Sequence, residues 1–181
     1  KDVVLFWEFR NKELGFTDNL KEDFDTLEEN SLQKASFIYN TFKIDCFADD
    51  SGLEVGALNN EPGVRSARYA GNQRNDDGNI KLLLKNLHGK KDRAARFKTV
   101  ISLILNSKAY QFEGIVEGQI ISEKRGSFGF GYDPVFVPNG YSQTFAEMDI
   151  SLKNKLSHRA KAIEKLIIFL KGIPLSDAKK A

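Results

Sequence analysis

Cysteine and histidine are scarce in this sequence, which has one cysteine, Cys46, and two histidines, His88 and His158, among 181 residues. A single cysteine cannot form an internal disulfide, and this fits a cytoplasmic protein in a reducing compartment. The three residues also lack the spacing of a zinc site. The sequence therefore argues against a fold stabilised by disulfides or by zinc.

Long apolar runs and an excess of charge of one sign are also absent. No apolar run approaches the roughly 18 residues of a transmembrane helix, and residues 1–6 are too short for the apolar region of a signal peptide. There are 27 Lys and Arg against 25 Asp and Glu, which argues against a membrane or nucleic-acid surface built on bulk charge. The length fits a single domain, spanning residues 1–181, with a disordered tail from about Ser176.

The most distinctive stretch is residues 47–55, Phe-Ala-Asp-Asp-Ser-Gly-Leu-Glu-Val. It continues an apolar run that we interpret as a buried strand, so Asp49 and Asp50 are expected at the end of that strand. Adjacent carboxylates repel each other, and a proton or a cation between them relieves the repulsion. Mg²⁺, which prefers oxygen ligands, is the expected cation. The alternative is an ordinary turn, because Asp, Ser and Gly all favour turns.

Local signals elsewhere predict helices alternating with strands. Thr26 to Glu29 form a capping box, which predicts a helix to Tyr39 with a buried stripe of Leu27, Ala35, Ile38 and Phe42. Asn30 and Lys34 lie four residues apart and share another face of this helix, which from spacing alone we interpret as a solvated edge. The next predicted elements are a helix over 79–87 and a hairpin of two long strands that turns at 106–108. A last helix is predicted to be capped by Ser157 and to have a buried stripe of Ala160, Ile163, Ile167 and Leu170. Together they predict an α/β domain with a mixed sheet.

Two further segments carry more polar and aromatic groups than a core requires. Residues 128–133 combine glycines, which let backbone amides approach a ligand, with aromatics that can stack on a flat ring; the alternative is a structural turn with core aromatics. Ser157, His158 and Arg159 lie at a predicted helix start, where free N–H groups favour an anion or a carbonyl oxygen. A hydrolase triad is not favoured, because adjacent Ser and His on a helix do not readily face each other and a nucleophile elbow is absent.

These motifs, taken in order, resemble the inosine triphosphate pyrophosphatase family. The resemblance runs from about Gly15 to Leu170 and rests on the segments 26–35, 48–53, 62–71, 129–134 and 145–159. It implies an elongated α/β fold with a mixed sheet, flanking helices and two lobes around a central cleft, usually as a homodimer. It also implies Mg²⁺-dependent hydrolysis of non-standard purine nucleoside triphosphates (ITP, dITP, XTP) to the monophosphate and pyrophosphate, without a nucleic-acid or membrane partner.

The resemblance also implies roles for individual residues. Asp50 matches the general base and a metal-linked carboxylate, and Glu22 matches an acidic Mg²⁺ ligand, with Asp49 beside them. Lys34 and Asn30 support the phosphate and metal site, and Ser51 and Lys153 contact substrate, with Lys153 offsetting charge on pyrophosphate. The expected base-recognition residues are Phe130, Gly131, Tyr132, Asp133, Ser157, His158 and Arg159. A Maf-like nucleotide pyrophosphatase and a nucleotide-binding protein without turnover are the alternative functions.

One departure from the family pattern lies near the start of the chain. Residues 1–6 resemble the family's opening strand and residues 7–15 its second strand, but the phosphate loop and helix that separate them are missing between Phe6 and Trp7. Deleting a loop and helix would expose core surface and a strand edge. We therefore expect the natural protein to contain a segment here that this sequence omits.

Overall fold

A computed structural model describes residues 20–172, which contain four α-helices and a five-stranded sheet. The helices are α1 (Leu27–Phe42), α2 (Asp76–Asn86), α3 (Ile150–Leu156) and α4 (His158–Gly172). The strands are β1 (Cys46–Val55), β2 (Pro62–Gly63), β3 (Ala94–Leu105), β4 (Lys108–Ile120) and β5 (Phe136–Pro138). The predicted α/β class is confirmed. The predicted strand at 1–6, the junction of Phe6 with Trp7 and the tail from Ser176 lie outside the described residues.

The sheet has the strand order β2-β1-β3-β4-β5. Its two outer pairings are antiparallel, with Leu53 opposite Gly63 between β1 and β2 and Gly118 opposite Pro138 between β4 and β5. The predicted hairpin of β3 and β4 is present. Its turn residues Asn106 and Ser107 both have positive φ, 49° and 62°, as a type I′ turn requires.

β1 is longer than the sequence predicts and continues to Val55. Asp49 and Asp50 therefore lie in the middle of a strand, and both the strand-end corner and the alternative turn are wrong. The pairing of Leu53 and Glu54 with Gly63 and Pro62 of β2 explains the extension. Because Ser and Gly favour turns only weakly compared with a full set of ladder hydrogen bonds, the tertiary pairing decides the conformation.

α1 begins as its capping box predicts. Thr26 Oγ1 accepts a hydrogen bond from the Glu29 N–H at 3.2 Å and donates one to Glu29 Oε2 at 2.7 Å. The helix passes the predicted end by three residues and stops at Lys43, whose left-handed φ of 54° interrupts the helical pattern. Its buried residues include Leu27, Ala35 and Ile38 of the predicted stripe, so this part of the prediction is confirmed.

The remaining helices differ from the prediction in detail. α2 starts three residues earlier than predicted, because Asn75 caps it by accepting from the Gly78 N–H at 3.0 Å. α3 was not predicted. Ser157 caps α4 through the Ala160 N–H, as expected. The fully buried residues of α4 are Ala162 and Leu166. Ile163 and Leu170 of the predicted stripe pack against the same core, whereas Ile167 is 43% exposed, so the stripe is confirmed only in part.

Within the described residues the chain forms two compact units. The first comprises 20–50, 100–113 and 162–172, and its core includes Phe47, Ile101, Leu103, Ala162 and Leu166. The second comprises 51–99 and 114–161, and its core includes Leu53, Ile80, Leu83, Phe136 and Phe145. None of the helices in the described part of the chain combines the length and the hydropathy needed to span a membrane.

Candidate active site

A buried ion cluster lies in the first unit, where α1 packs beside β1. Lys34 Nζ lies 2.8 Å from Asp50 Oδ1 and 3.1 Å from Glu22 Oε1. The three side chains are 11%, 11% and 23% exposed, respectively. The solvated-edge interpretation of the Asn30 and Lys34 face is therefore wrong, because Lys34 bridges two carboxylates and Asn30 is buried.

In this cluster one ammonium group, that of Lys34, contacts two carboxylates, and the pKa values of Lys34 and Asp50 are both shifted. Burial raises the pKa of Asp50, and Glu22 and Asp49 add to this effect against the opposing influence of Lys34. Burial opposes the charge on Lys34, but Asp50 and Glu22 outweigh it and raise the pKa of Lys34. A carboxyl group with a raised pKa is a better proton acceptor near neutral pH than an ordinary aspartate.

Asp49 and Asp50 lie on opposite faces of β1, because successive side chains of a strand alternate. Cys46, which shares the face of Asp50, donates from its Sγ to the Ala35 carbonyl of α1 at 3.3 Å. Phe47, which shares the face of Asp49, packs with the Ala162 and Leu166 cluster. This alternation does not favour one cation between Asp49 and Asp50, and the metal role of Asp49 stays a prediction. Among residues 20–172, no three His, Cys, Asp or Glu side chains form a metal-binding group.

Asn30 and Ser51 bind protein groups in this structure. The Asn30 side chain accepts from the Phe24 N–H and donates to the Phe24 carbonyl, both at 3.0 Å. It therefore anchors the segment that carries Glu22. Ser51 Oγ lies 2.6 Å from Thr99 Oγ1, which positions the serine against the neighbouring strand β3.

A second cluster, in the second unit, is centred on Asp133. Its Oδ2 accepts from both the Phe130 N–H, at 2.8 Å, and Lys153 Nζ, at 2.5 Å. Both donors bind the same oxygen, and within the described residues Oδ1 has no hydrogen-bond donor. Asp133 as a whole is only 4% exposed, and its Oδ1 remains available to a ligand.

Lys153 belongs to the Asp133 cluster, and its predicted contact with pyrophosphate stays a prediction. It lies with the Asp133 cluster, where its Nζ is 4.8 Å from the centroid of Phe130 and 5.8 Å from that of Phe145. The residue is on α3, the helix that the sequence did not reveal. Its contacts indicate a role beside the aromatic side chains of this cluster.

The two aromatics proposed for stacking have different environments. Phe130 is 67% exposed, whereas Tyr132 is 3% exposed and donates its hydroxyl to the Ser66 carbonyl at 2.9 Å. Tyr132 is therefore a core residue, and of the two aromatics Phe130 is the one whose ring is exposed for stacking. Gly131 lies between them with a φ of +58°, a conformation that glycine adopts without strain.

His158 lies in an aromatic environment at the start of α4. Its ring stacks on Phe97 with a centroid distance of 4.9 Å and an interplanar angle of 10°. Burial, with Arg159 and Lys153 nearby, lowers the pKa of His158 from 6.5 to about 3. The imidazole is thus neutral at physiological pH. Its Nδ1 is buried without a hydrogen-bond partner among the described residues.

Two residues of this cluster were missed by the sequence reasoning. Phe97 and Phe145 have their ring centroids 6.0 Å apart, and they support His158 and Lys153. Phe97 belonged to a predicted strand and Phe145 to a motif of the resemblance, but no local pattern indicates which aromatics face a site. Their roles follow from packing between β3 and the segment before α3.

Comparison with known proteins gives a consistent result. The sequence model of the Ham1 family matches residues 5–169 of this chain. A dITP/XTP pyrophosphatase of Christiangramia forsetii is 49% identical over 158 residues, covering 87% of this chain and 83% of that protein. The dITP/XTP pyrophosphatase of Bacillus subtilis is 44% identical over 157 residues, covering 85% and 79%.

Solved structures agree with the sequence comparison. The Ham1 protein of Staphylococcus aureus has a TM-score of 0.85 and 40% identity, covering 90% of this chain and 84% of that one. A HAM1 protein from Coxiella burnetii has a TM-score of 0.86 and 38% identity, with coverages of 90% and 85%. Sequence and fold therefore agree, and the chain belongs to the Ham1 family.

Proposed function

We propose that this protein is a hydrolase that converts non-standard purine nucleoside triphosphates, namely ITP, dITP and XTP, to the monophosphate and pyrophosphate. The proposal is supported by the names of its relatives, which include dITP/XTP pyrophosphatases that are 49% and 50% identical to this chain. The structural observation that carries it is the available Oδ1 of the largely buried Asp133, close to the exposed ring of Phe130.

Donor and acceptor patterns distinguish the bases. A 6-oxopurine offers an N1–H donor and an O6 acceptor, whereas adenine reverses both. Asp133 Oδ1 accepts from N1–H, and Arg159 or His158 donates to O6. Phe130 stacks on the ring. A wrong base leaves the buried Asp133 oxygen unpaired, and a site built in this way discriminates strongly.

The ion cluster serves the phosphate end of the substrate. Glu22 and Asp50 present hard carboxylate oxygens beside the Lys34 ammonium group. This donor set fits Mg²⁺, which binds one or two carboxylates together with water and substrate phosphates. Glu22 and Asp50 would hold the ion, and when bound it would neutralise charge on the phosphate oxygens.

Proton transfer is assigned to Asp50. The anhydride bond between the α- and β-phosphates breaks as water adds to phosphorus, and the water proton passes to the Asp50 carboxylate. Lys34, held by the same carboxylates, supplies positive charge near the pyrophosphate. The protein's contribution is mainly positioning and charge neutralisation.

A homodimer and a cytoplasmic location complete the proposal. Both rest on the resemblance to the family, and the cytoplasmic location also fits the single buried Cys46. Sedimentation of the purified chain at several concentrations would test the dimer, because a dimer's apparent mass depends on protomer concentration.

The test of the function is pyrophosphate release from ITP, XTP and ATP by the purified protein. We expect a higher kcat/KM for ITP and XTP than for ATP. Arg159→Ala should erode that preference by about 1–3 kcal/mol, the scale of one unpaired buried polar group, and His158→Ala should act in the same direction. Lys155→Ala, an exposed change on the preceding helix, is the control.

The alternatives give other outcomes in the same assay. A Maf-like enzyme would prefer pyrimidine or modified nucleotides, and a binding protein without turnover would release no pyrophosphate. An unchanged ITP to ATP ratio in both the Arg159 and His158 variants would show that these residues do not recognise the base.

A further inference from the structure

The turn that carries Phe130 is closed by its own hydrogen bonds. The Asp133 N–H donates to the Phe130 carbonyl at 3.2 Å, and the Phe130 N–H donates to Asp133 Oδ2. This segment, residues 130–133, is called the aromatic turn below. Its C-terminal half is tied to the core through Tyr132 and Ser66. Its tip is tied differently, by a residue far away in the sequence.

The Gly131 N–H donates to Oδ2 of Asp76 at 2.7 Å, across 55 residues of sequence. Asp76 is the first residue of α2. The N–H of Gly131 belongs to the peptide group that follows the Phe130 Cα. Fixing this peptide restricts ψ of Phe130, and with it the direction in which the Phe130 side chain leaves the backbone.

α2 is a firm support for such a contact. Its residues Ile80, Leu83 and the following Leu87 are at most 2% exposed. The Asn79 side chain accepts from the Ala70 N–H at 2.7 Å and donates to the Ser66 and Ala67 carbonyls. The start of α2 is therefore held by core packing on one side and by a backbone segment on the other.

Resting on the proposed function, we infer that Asp76 is a positioning residue of the base site, which sets the placement of Phe130 through the Gly131 N–H. Phe130 is 67% exposed and makes a long contact with Lys153, so little else restrains its ring. Positioning a stacking ring before the substrate arrives lowers the entropy lost on binding.

The competing explanation is that Asp76 stabilises α2 only as an acidic residue in its first turn. Asp77 tests this explanation, because it is also in the first turn of α2. Its carboxylate binds Lys124 Nζ at 2.6 Å, and both side chains are well exposed, 67% and 47%. Asp77 thus shares the helix-end charge of Asp76 and lacks the contact with the aromatic turn.

The kinetic experiment compares Asp76→Ala, Asp76→Asn and Asp77→Ala for pyrophosphate release from ITP. We expect Asp76→Ala to raise KM about tenfold with kcat unchanged, the pattern for an interaction made equally in the ground and transition states. Asp76→Asn should restore a KM near that of the wild type, because its side-chain carbonyl still accepts from Gly131. Asp77→Ala should match the wild type. A wild-type KM for Asp76→Ala, equal defects in Asp76→Ala and Asp77→Ala, or no rescue by Asn would overturn the inference.

Hydrogen exchange of the aromatic turn gives a readout that does not need turnover. Exchange at residues 128–133, followed by mass spectrometry, should be faster in Asp76→Ala and unchanged in Asp76→Asn and Asp77→Ala. If the wild type releases no pyrophosphate from ITP or XTP, the proposed function fails, and exchange alone then decides the inference. Unchanged exchange in Asp76→Ala would refute it.

Discussion

At the scale of single residues, β1 separates two neighbouring aspartates into different environments. Asp50 shares the Lys34 and Glu22 cluster, whereas Asp49 lies on the opposite face of the strand. The proposed general base is thus one particular carboxylate of the pair. This distinction leads to a prediction that treats the two positions differently.

Asp50→Asn should lower pyrophosphate release from ITP by at least about a hundredfold, the usual scale for loss of a general base. Asp49→Asn, an equivalent change one residue away, should cost less than about tenfold, because its side chain does not lie in the cluster. Steady-state kinetics with Mg²⁺, together with circular dichroism to confirm folding, measures both. Near-full turnover by Asp50→Asn would remove Asp50 from the role of base.

His158 gives a prediction about stability and pH. Its pKa is about 3 in the folded protein against 6.5 for an ordinary histidine. The unfolded chain therefore binds the proton first as the pH falls. The free energy of unfolding is therefore unaffected by His158 above about pH 6.5 and falls progressively as the pH decreases toward about 3. The loss of stability amounts to roughly 2 kcal/mol at about pH 5.

Denaturant titrations between about pH 7 and pH 5 test this effect. His158→Phe keeps a ring against Phe97 and cannot titrate, so it should lose about 2 kcal/mol less stability than the wild type over this interval. His88→Phe, a change at an exposed position, should behave like the wild type. Parallel pH profiles for the wild type and His158→Phe would contradict the assignment of a neutral buried imidazole.

At the scale of elements, the glycine-rich loop before β5 depends on space as well as on conformation. Gly129 has a φ of +83°, and a Cβ there would overlap Asp133 Oδ2 and lie 3.0 Å from Lys153 Nζ. Gly140 has nearly the same φ, +84°, with no atom within 4 Å of its Cβ position. An alanine would be strained by the positive φ at either position, but only at position 129 would its methyl group collide with Asp133 and Lys153.

Gly129→Ala should therefore lower kcat/KM for ITP by at least about tenfold, because it displaces Asp133 or Lys153. Gly140→Ala should lose a similar amount of stability to backbone strain, about 1–2 kcal/mol, and retain activity. Thermal unfolding and pyrophosphate release distinguish the two effects. Equal kcat/KM values in the two variants would show that the Asp133 and Lys153 geometry is unimportant for activity.

At the scale of the whole molecule, the two compact units carry different chemistry. The first unit holds the Lys34, Glu22 and Asp50 cluster, and the second holds the aromatic turn with Asp133 and Lys153. Each cluster includes an ion pair between residues distant in the sequence, 12 positions apart for Lys34 and Glu22 and 20 for Lys153 and Asp133. The resemblance also implies an N-terminal phosphate loop at the junction of Phe6 and Trp7. This junction lies outside the described residues, so the loop stays a prediction.

The intact mass of the natural protein tests that expectation. It should exceed 20.4 kDa by the mass of about twenty residues, the typical size of a helix with its loop. Tryptic peptides that span Phe6 and Trp7 would locate the additional segment. A natural mass equal to that of this sequence would instead indicate a true deletion.

Several features of the fold were determined by local sequence. The capping box at Thr26, the type I′ turn at Asn106 and the helix cap at Ser157 each appear where the sequence predicts them. Each depends on hydrogen bonds or dihedral angles within about four residues, which neighbouring side chains largely decide. The family was also evident from motifs in order along the chain, and the comparisons confirm it.

Other features were decided only by tertiary structure. Pairing with β2 extends β1 through Asp50, and alternation then separates Asp50 from Asp49. Lys153 binds Asp133 across 20 residues of sequence, and Tyr132 is buried by core packing while Phe130 stays exposed. Sequence spacing specifies which side chains share a face of one element. Which distant groups meet, and which of two adjacent aromatics is buried, depends on how separate elements pack, because those contacts form only when the chain folds.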